Sequence, residues 1–229
     1  MDTVFPERRG WFSEFYRDSQ EWTLPGYRHW FEYEDHAPHM WVWATGMIHG
    51  LGQVPEYAEA LLKTLPGVSP DQLSARLGAR MERQRRVLYR DPPPSIWLLV
   101  DEMALYRMVG SPETMTSQLA HLLELVTLPG VTVQVVPAAA HAVIASELIV
   151  IDGAAYAEHV AGGYVFTEPE TVTSLGRMIT GLQADCYRAS ESHELIRRVK
   201  AVWESGVNPL TAVLPADRAS KSRTARERS

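Results

Sequence analysis

The chain has 229 residues, 45% hydrophobic and 22% charged, enough for one large domain or two small ones with a substantial core. No run approaches 18 apolar residues and the opening MDTVFPERRGWF lacks the basic-then-apolar layout of a signal peptide, so neither a membrane span nor a secretory leader is expected. The net charge is −6, and the last fifteen residues hold five basic and two acidic groups, which leaves about −9 on the body, a poor match for a DNA phosphate backbone.

Residues 1–49 are dense in rings. Five of the seven tryptophans lie there (Trp11, Trp22, Trp30, Trp41 and Trp43), with four histidines (His29, His36, His39 and His49). Aromatic side chains bury large areas, so this stretch reads as a helical layer packed on the main domain, or as the aromatic wall of a ligand pocket or dimer surface. His36 and His39 have the spacing of a metal pair, but Pro38 between them breaks helical geometry and no cysteine or carboxylate cluster completes a site; no metal and no cofactor is expected.

A short helix follows over 54–67, with Pro55 in its first turn and Pro66-Gly67 ending it. The next begins at Ser69, where Pro70 is the first helical residue and Gln72 completes a capping box. Leu73, Leu77, Met81, Gln84 and Leu88 form its apolar stripe. Arg76, Arg80, Arg83 and Arg90 form a second stripe, read either as a nucleic-acid face, a solvated face, or a set of partners for acids elsewhere. SIWLLVDE (95–102) reads as a buried strand. Ser111 caps and Pro112 opens another helix, closed by Pro129-Gly130, and VTVQVV follows as a strand. Strand, helix and strand at this spacing predict a parallel βαβ unit. ELIVIDGAAYAEHV reads as a hairpin about Asp152-Gly153, and GGYVFTEPE as a short strand turning into a helix at Thr167, with Thr167 and Glu170 as a second capping box. Two terminal helices are expected over 169–187 and 190–204. Cys186 lies in a helical run as a buried or half-buried thiol with no activating neighbour; as the one cysteine it excludes an internal disulfide and suits a reducing cytoplasm. The fold class is α/β: a mixed sheet with a βαβ unit flanked by helices, an aromatic-rich helical N-terminal layer (1–66), an α/β domain (67–206) and a basic disordered tail (207–229).

The blocks GLGQVPEYAEALL, ARMERQRRVLYRDPPPSIWLLVDEMAL, VGSPETMTSQLAHLLELVTLPGVTVQVVP and AYAEHVAGGYVFTEPETV, in this order, resemble the effector domain of actinobacterial helix-turn-helix regulators of the XRE/WhiJ type, also described as antitoxin-like. The resemblance runs from about residue 7 to residue 200. It implies a regulator-type domain that normally follows a DNA-binding helix-turn-helix, is often encoded beside a small partner protein, and takes part in development or antibiotic production. PERRGWFSEFYRD resembles the segment after the helix-turn-helix and lies at the start of this sequence, so the DNA-reading module is expected to be missing. The segment PAAAHAVIASELIVID carries alanines where the family has a longer glycine-rich loop around the matching histidine, His141.

Ligands of α/β sheets bind beyond the carboxyl ends of the strands. That rule places Asp101 and Glu102, His141, and Glu158 with His159 at candidate strand ends, with Tyr156 and Gln118 facing the same region and Trp41 and Trp43 supplying an aromatic wall. A carboxylate beside an imidazole makes an acid–base pair, so His141, Glu158 and Asp101 are the catalytic candidates should the protein be an enzyme. Asp101 and Glu102 also fit a role as caps of the next helix. There is no GxGxxG after a strand, GxxxxGK[ST], HExxH, GxSxG or CxxC. Two functions fit: a stand-alone effector or sensor that binds a small hydrophobic or aromatic ligand or a small partner protein, or a cofactor-independent enzyme of secondary metabolism performing cyclase-, isomerase- or dehydratase-type chemistry. Neither needs specific DNA or a membrane, and a homodimer fits both.

Overall fold

The computed structural model describes residues 27–140, 144–159 and 162–210. Helix α1 (Tyr27–His36) leads into strand β1 (His39–Ala44). A 3-10 turn (Gly50–Gly52), α2 (Pro55–Leu62) and α3 (Pro70–Leu88) lead to β2 (Ser95–Asp101). Then come α4 (Glu102–Tyr106), α5 (Pro112–Leu125) and β3 (Val131–Val136). Strands β4 (Glu147–Ile151), β5 (Ala154–His159) and β6 (Gly162–Phe166) precede α6 (Pro169–Ala184) and α7 (Ala189–Glu204). The six strands form one mixed sheet in the order β3-β2-β1-β4-β5-β6. Strands β1, β2 and β3 are parallel, as the βαβ spacing predicts, while β4 runs antiparallel to β1 and continues as an antiparallel meander.

The helix starts follow from local chemistry. At α3 the Ser69 hydroxyl accepts from the Gln72 N–H and the Gln72 side chain accepts from the Ser69 N–H. At α5 the Ser111 hydroxyl accepts from the Thr114 N–H, with Pro112 at the first helical position. The capping box expected at Thr167 does not form. Pro169 takes the first helical position of α6, so Glu168 is the cap residue, and it makes no side-chain capping bond. Proline pre-sets that first position, so the helix begins one residue later than the Thr167–Glu170 spacing requires.

Strand β1 is the element not anticipated. In HMWVWA the residues of both faces are apolar, and such a run carries no period that separates a buried strand from a buried helix. It sits at the centre of the sheet. Met40 and Val42 face one core with Ile96, Leu98, Val133, Ile149 and Tyr156, closed by Trp30, Leu119, Leu122 and Trp203 from the helices. Trp43 faces a second, smaller core with Leu99, Leu148 and Val150, closed by Ile179 and Leu182 of α6. On that side Trp41 stacks on its register partner Trp97, with ring centroids 4.6 Å apart and planes 8° apart.

The outer edge of β3 is closed by side chains and loop. The Val135 N–H donates to the buried Ser192 hydroxyl (2.9 Å), and the Val135 carbonyl accepts from the Tyr187 N–H (3.0 Å). Open strand edges invite pairing with other chains, and here α7 removes that opportunity. Ser192→Ala leaves a buried amide without a partner and is expected to lower the unfolding free energy by about 1–3 kcal/mol, measured by urea denaturation; an unchanged midpoint would show that the edge is closed without this bond.

Candidate functional site

The candidate site lies at one end of the sheet, where β1, β2 and β5 finish and β4 begins. The register pairs Glu147 at the start of β4 with Glu158 near the end of β5. Opposed residues share a face of the sheet, so two carboxylates lie side by side across strands. The face is the one covered by α1 and α3, because Ile149 and Tyr156, two residues further along each strand, belong to the larger core.

Each carboxylate has a distinct environment. His49 lies in the segment after β1, its ring fully buried. The Leu51 N–H donates to Nδ1 (3.1 Å), which leaves Nε2 as the proton-bearing ring atom. Nε2 is 2.8 Å from Glu147 Oε1, and the Glu147 side chain keeps one-fifth of its surface exposed. Burial alone would raise the Glu147 pKa, but His49, Arg83 and Arg80 outweigh it and hold the carboxyl below its ordinary range. Glu158 is shifted the other way. Burial and the adjacent Glu147 charge push it up to about 7, against the opposing pull of a hydrogen bond from Tyr156 and of Arg83 and Arg80. The Tyr156 hydroxyl donates to Glu158 Oε2 (3.0 Å), and its ring stacks on Trp30 at 5.5 Å. A Cβ at Gly163 would overlap the Tyr156 phenol, so the absence of a side chain there lets the ring cross β6 and aim its hydroxyl at Glu158.

The network continues into the helical layer. Arg83 donates from Nε and Nη2 to the two oxygens of Glu34 (2.9 and 2.7 Å), both side chains buried, and Trp30 Nε1 donates to Glu34 Oε1 (3.2 Å). Burial pushes the Glu34 pKa up, yet Arg83 and the Trp30 bond prevail and the net shift is downward. Arg80 donates to Gln53 Oε1 (2.7 Å), and the Gln84 amide donates to the carbonyls of Gly50 and Gln53 (2.6 and 2.7 Å). The arginine stripe of α3 is thus turned largely inward: Arg86 pairs with Asp35 (2.5 Å), and Arg90 donates to the carbonyls of Glu34, Asp35 and Ala37. Of the stripe read from the sequence, Arg83 pairs with an acid, Arg80 with a glutamine and Arg90 with backbone carbonyls.

The residues singled out from the sequence are distributed as follows. Glu158 and Tyr156 come together in the carboxylate site. Asp101 caps α4, accepting from the Met103 N–H (2.9 Å) and the Gly46 N–H (2.8 Å). Glu102 accepts from the Ala138 N–H (2.9 Å) and from the Tyr106 hydroxyl at 3.5 Å, so it ties the start of α4 to the segment after β3. Gln118 is fully buried and clamps backbone, its amide donating to the Gly52 carbonyl (2.6 Å) and accepting from the Val54 N–H (2.9 Å). Trp43 donates to the Ile144 carbonyl (2.9 Å) and Trp41 to Gln183 (3.0 Å), both on the α6 side of the sheet, away from Glu158. His141 and the side chain of His159 lie outside the described residues. His36 and His39 diverge, one to the Glu32 carbonyl and the other to Asp152 (both 2.9 Å), and among the described residues no group of three His, Cys, Asp or Glu side chains is arranged to hold a metal. Burial and Asp185 push the Cys186 thiol up to about 12. No described helix is long and apolar enough to cross a membrane.

Residues 27–198 match the model of one domain family. The chain belongs to that family, described as a domain of unknown function (DUF5753). No curated protein and no solved structure matches it. The DUF5753 match starts with α1 and ends within α7, so it spans every residue of the network just described.

The buried ion pair and the carboxylate pair have opposite signatures in stability. Removing one partner of Glu34–Arg83 strands a buried charge, so Arg83→Met is expected to lower stability by about 3–5 kcal/mol, and the double variant Arg83→Met with Glu34→Leu to recover most of it; equal losses in the single and double variants would refute the pairing. For Glu158 the folded pKa is raised, so its stabilising contribution is complete below the ordinary carboxylate range and is lost as pH rises through about 7. Glu158→Gln is therefore expected to add roughly 2–3 kcal/mol at alkaline pH and little in acid, read from denaturation midpoints across the pH range. For Glu34 and Glu147, whose pKa values are lowered, the contribution is present above the ordinary carboxylate range and is lost as pH falls below it.

Proposed function

We propose that this chain is the sensing domain of a helix-turn-helix-type regulatory system, taking a small hydrophobic or aromatic molecule at the carboxylate end of the sheet and not reading DNA itself. The observation that carries this reading is a pair of adjoining polar networks, Trp30–Glu34–Arg83 between α1 and α3, and His49–Glu147 beside Glu158–Tyr156 between the 45–53 segment and the β4–β5 hairpin. Buried ion pairs are a weak source of stability; their better-attested use is to fix one arrangement of elements against another. A ligand that meets the exposed part of Glu147 is placed to change how the helical layer sits on the sheet. The inward engagement of the α3 arginines supports the absence of direct DNA binding, since charges held by Glu34, Asp35 and backbone carbonyls are unavailable to phosphates. The resemblance to XRE/WhiJ-type effector domains supports the regulatory setting, and an encoded partner protein remains the other class of occupant.

A second reading rests on the same two carboxyls. One held ionised beside one held protonated near neutrality is the arrangement from which acid–base catalysis is built. On that reading Glu158 is the proton donor to a hydrophobic substrate, in a cofactor-independent cyclisation, isomerisation or dehydration.

The two readings separate in one experiment. A panel of aromatic and aliphatic metabolites is screened by thermal shift against the protein and against Glu147→Gln and Glu158→Gln. A true ligand at about a hundred times its dissociation constant is expected to stabilise the protein by about 2.7 kcal/mol and to lose at least tenfold in affinity in the variants. Hits that bind all three proteins equally would place the site elsewhere. Conversion of a hit to product, lost in Glu158→Gln with binding retained, would establish the enzyme instead.

A further inference from the structure

Glu147 and Glu158 face each other across β4 and β5, beside the edge strand β6. The charged or titratable groups facing Glu158 come from several elements. Glu147 lies opposite on β4, His49 comes from the segment after β1, and Tyr156 lies two residues back on β5. Arg80 and Arg83 approach from α3, and Glu34 on α1 claims Arg83 through two hydrogen bonds. Ionisation of Glu158 adds a second carboxylate directly opposite Glu147 within this set. The backbone at this corner is also special. Strand β6 is the sheet's outer strand, it begins with two glycines, and the second admits the Tyr156 ring that contacts Glu158.

We propose that Glu158, with Glu147 opposite and Tyr156 laid over Gly163, is a proton-operated latch that holds the β5–β6 end of the sheet against α1 and α3 when protonated and loosens it when ionised. Ionisation sets two carboxylates face to face across β4 and β5, where like charges directly opposite are destabilising. The relief available is separation of the β4 start from the β5 end, which unstacks Tyr156 from Trp30 and frees Gly163. The shifted titration of Glu158 agrees with this geometry and puts the change near neutral pH, where a modest drift acts on it. The latch does not depend on any ligand, so it stands whether or not the sensing reading holds.

The test is hydrogen–deuterium exchange of the intact protein at about pH 6 and about pH 8, corrected for intrinsic exchange rates, with peptides covering β5, β6 and α1. The expected result is at least a threefold loss of protection in these peptides at the higher pH, on the order seen for local opening, with α5 and α7 unchanged. Glu158→Gln is expected to stay protected at both pH values, and so is Glu147→Gln, which removes the like charge opposite Glu158. Equal protection of the unsubstituted protein at the two pH values overturns the latch, as does a pH-dependent loss that persists in Glu158→Gln. Tyr156→Phe guards against a merely structural effect of the other variants: deleting the hydrogen bond to ionised Glu158 should shift the transition to higher pH, and no shift counts against Tyr156 as part of the latch.

Discussion

Everything at the candidate site hangs on the bidentate contact between Arg83 and Glu34. Two opposite charges are withdrawn from water between α1 and α3, and each is useful only in the presence of the other. Glu34 also receives the Trp30 indole N–H, so the ion pair fixes where that ring lies. Trp30 in turn stacks on Tyr156, and Tyr156 bonds Glu158. A single guanidinium therefore bears, through four successive contacts, on the position of a carboxyl on a strand of the sheet. The planar fork of arginine is needed for this; a lysine presents a point charge and cannot hold both carboxylate oxygens in register with the indole.

The two groups of acids at this end of the sheet illustrate how environment divides one residue type into different roles. Asp101 and Glu102 receive backbone N–H groups, and a carboxylate that accepts from amides at a helix start is a structural element. Glu147 and Glu158 receive side-chain partners and each other. Glu147 has histidine and arginines to balance it, whereas Glu158 has a phenol and a neighbouring negative charge. The first group fixes the strand-to-helix turn; the second is left with an energy difference between protonation states, the property that sensing and acid–base chemistry both require.

Most of the fold is legible in the residues, because helix punctuation is local. Ser69 with Gln72, Ser111 with Pro112, and the Asp152-Gly153 turn announce their elements without tertiary context. Strand β1 is not legible, since HMWVWA is apolar on both faces, and Thr167 misleads because Pro169 sets the first helical position. The site is legible only in part. Glu158 and Tyr156 follow from the rule about strand ends, and the inward use of the arginines was one of the readings open to a helix with a basic stripe in an acidic body. His49, Glu34 and Glu147 were not identified as a group. They come from three elements separated by up to 113 positions in the chain, and no spacing rule joins residues that meet only after the sheet has closed. The signal that did exist was an arginine stripe on a helix of an acidic protein, a pattern that fits pairing with acids elsewhere in the chain.

Family membership adds a constraint of a particular kind. The match covers the sheet, the helical layer and the network as one unit, but a shared fold does not carry an activity. What distinguishes a sensor from an inert packing domain is an interior with two arrangements of similar energy. A purely apolar junction between α1, α3 and the β4–β5 hairpin would have one dense packing and resist displacement. The junction here instead contains three carboxyls, two guanidinium groups and an imidazole, whose balance changes with one proton or one bound charge. On the second face of the sheet, Trp41 stacks on Trp97, and Ile179 and Leu182 close a compact core that is apolar among the described residues. The two faces of the sheet therefore differ in kind: buried ionisable groups gather on the α1–α3 side, and apolar packing dominates the α6 side.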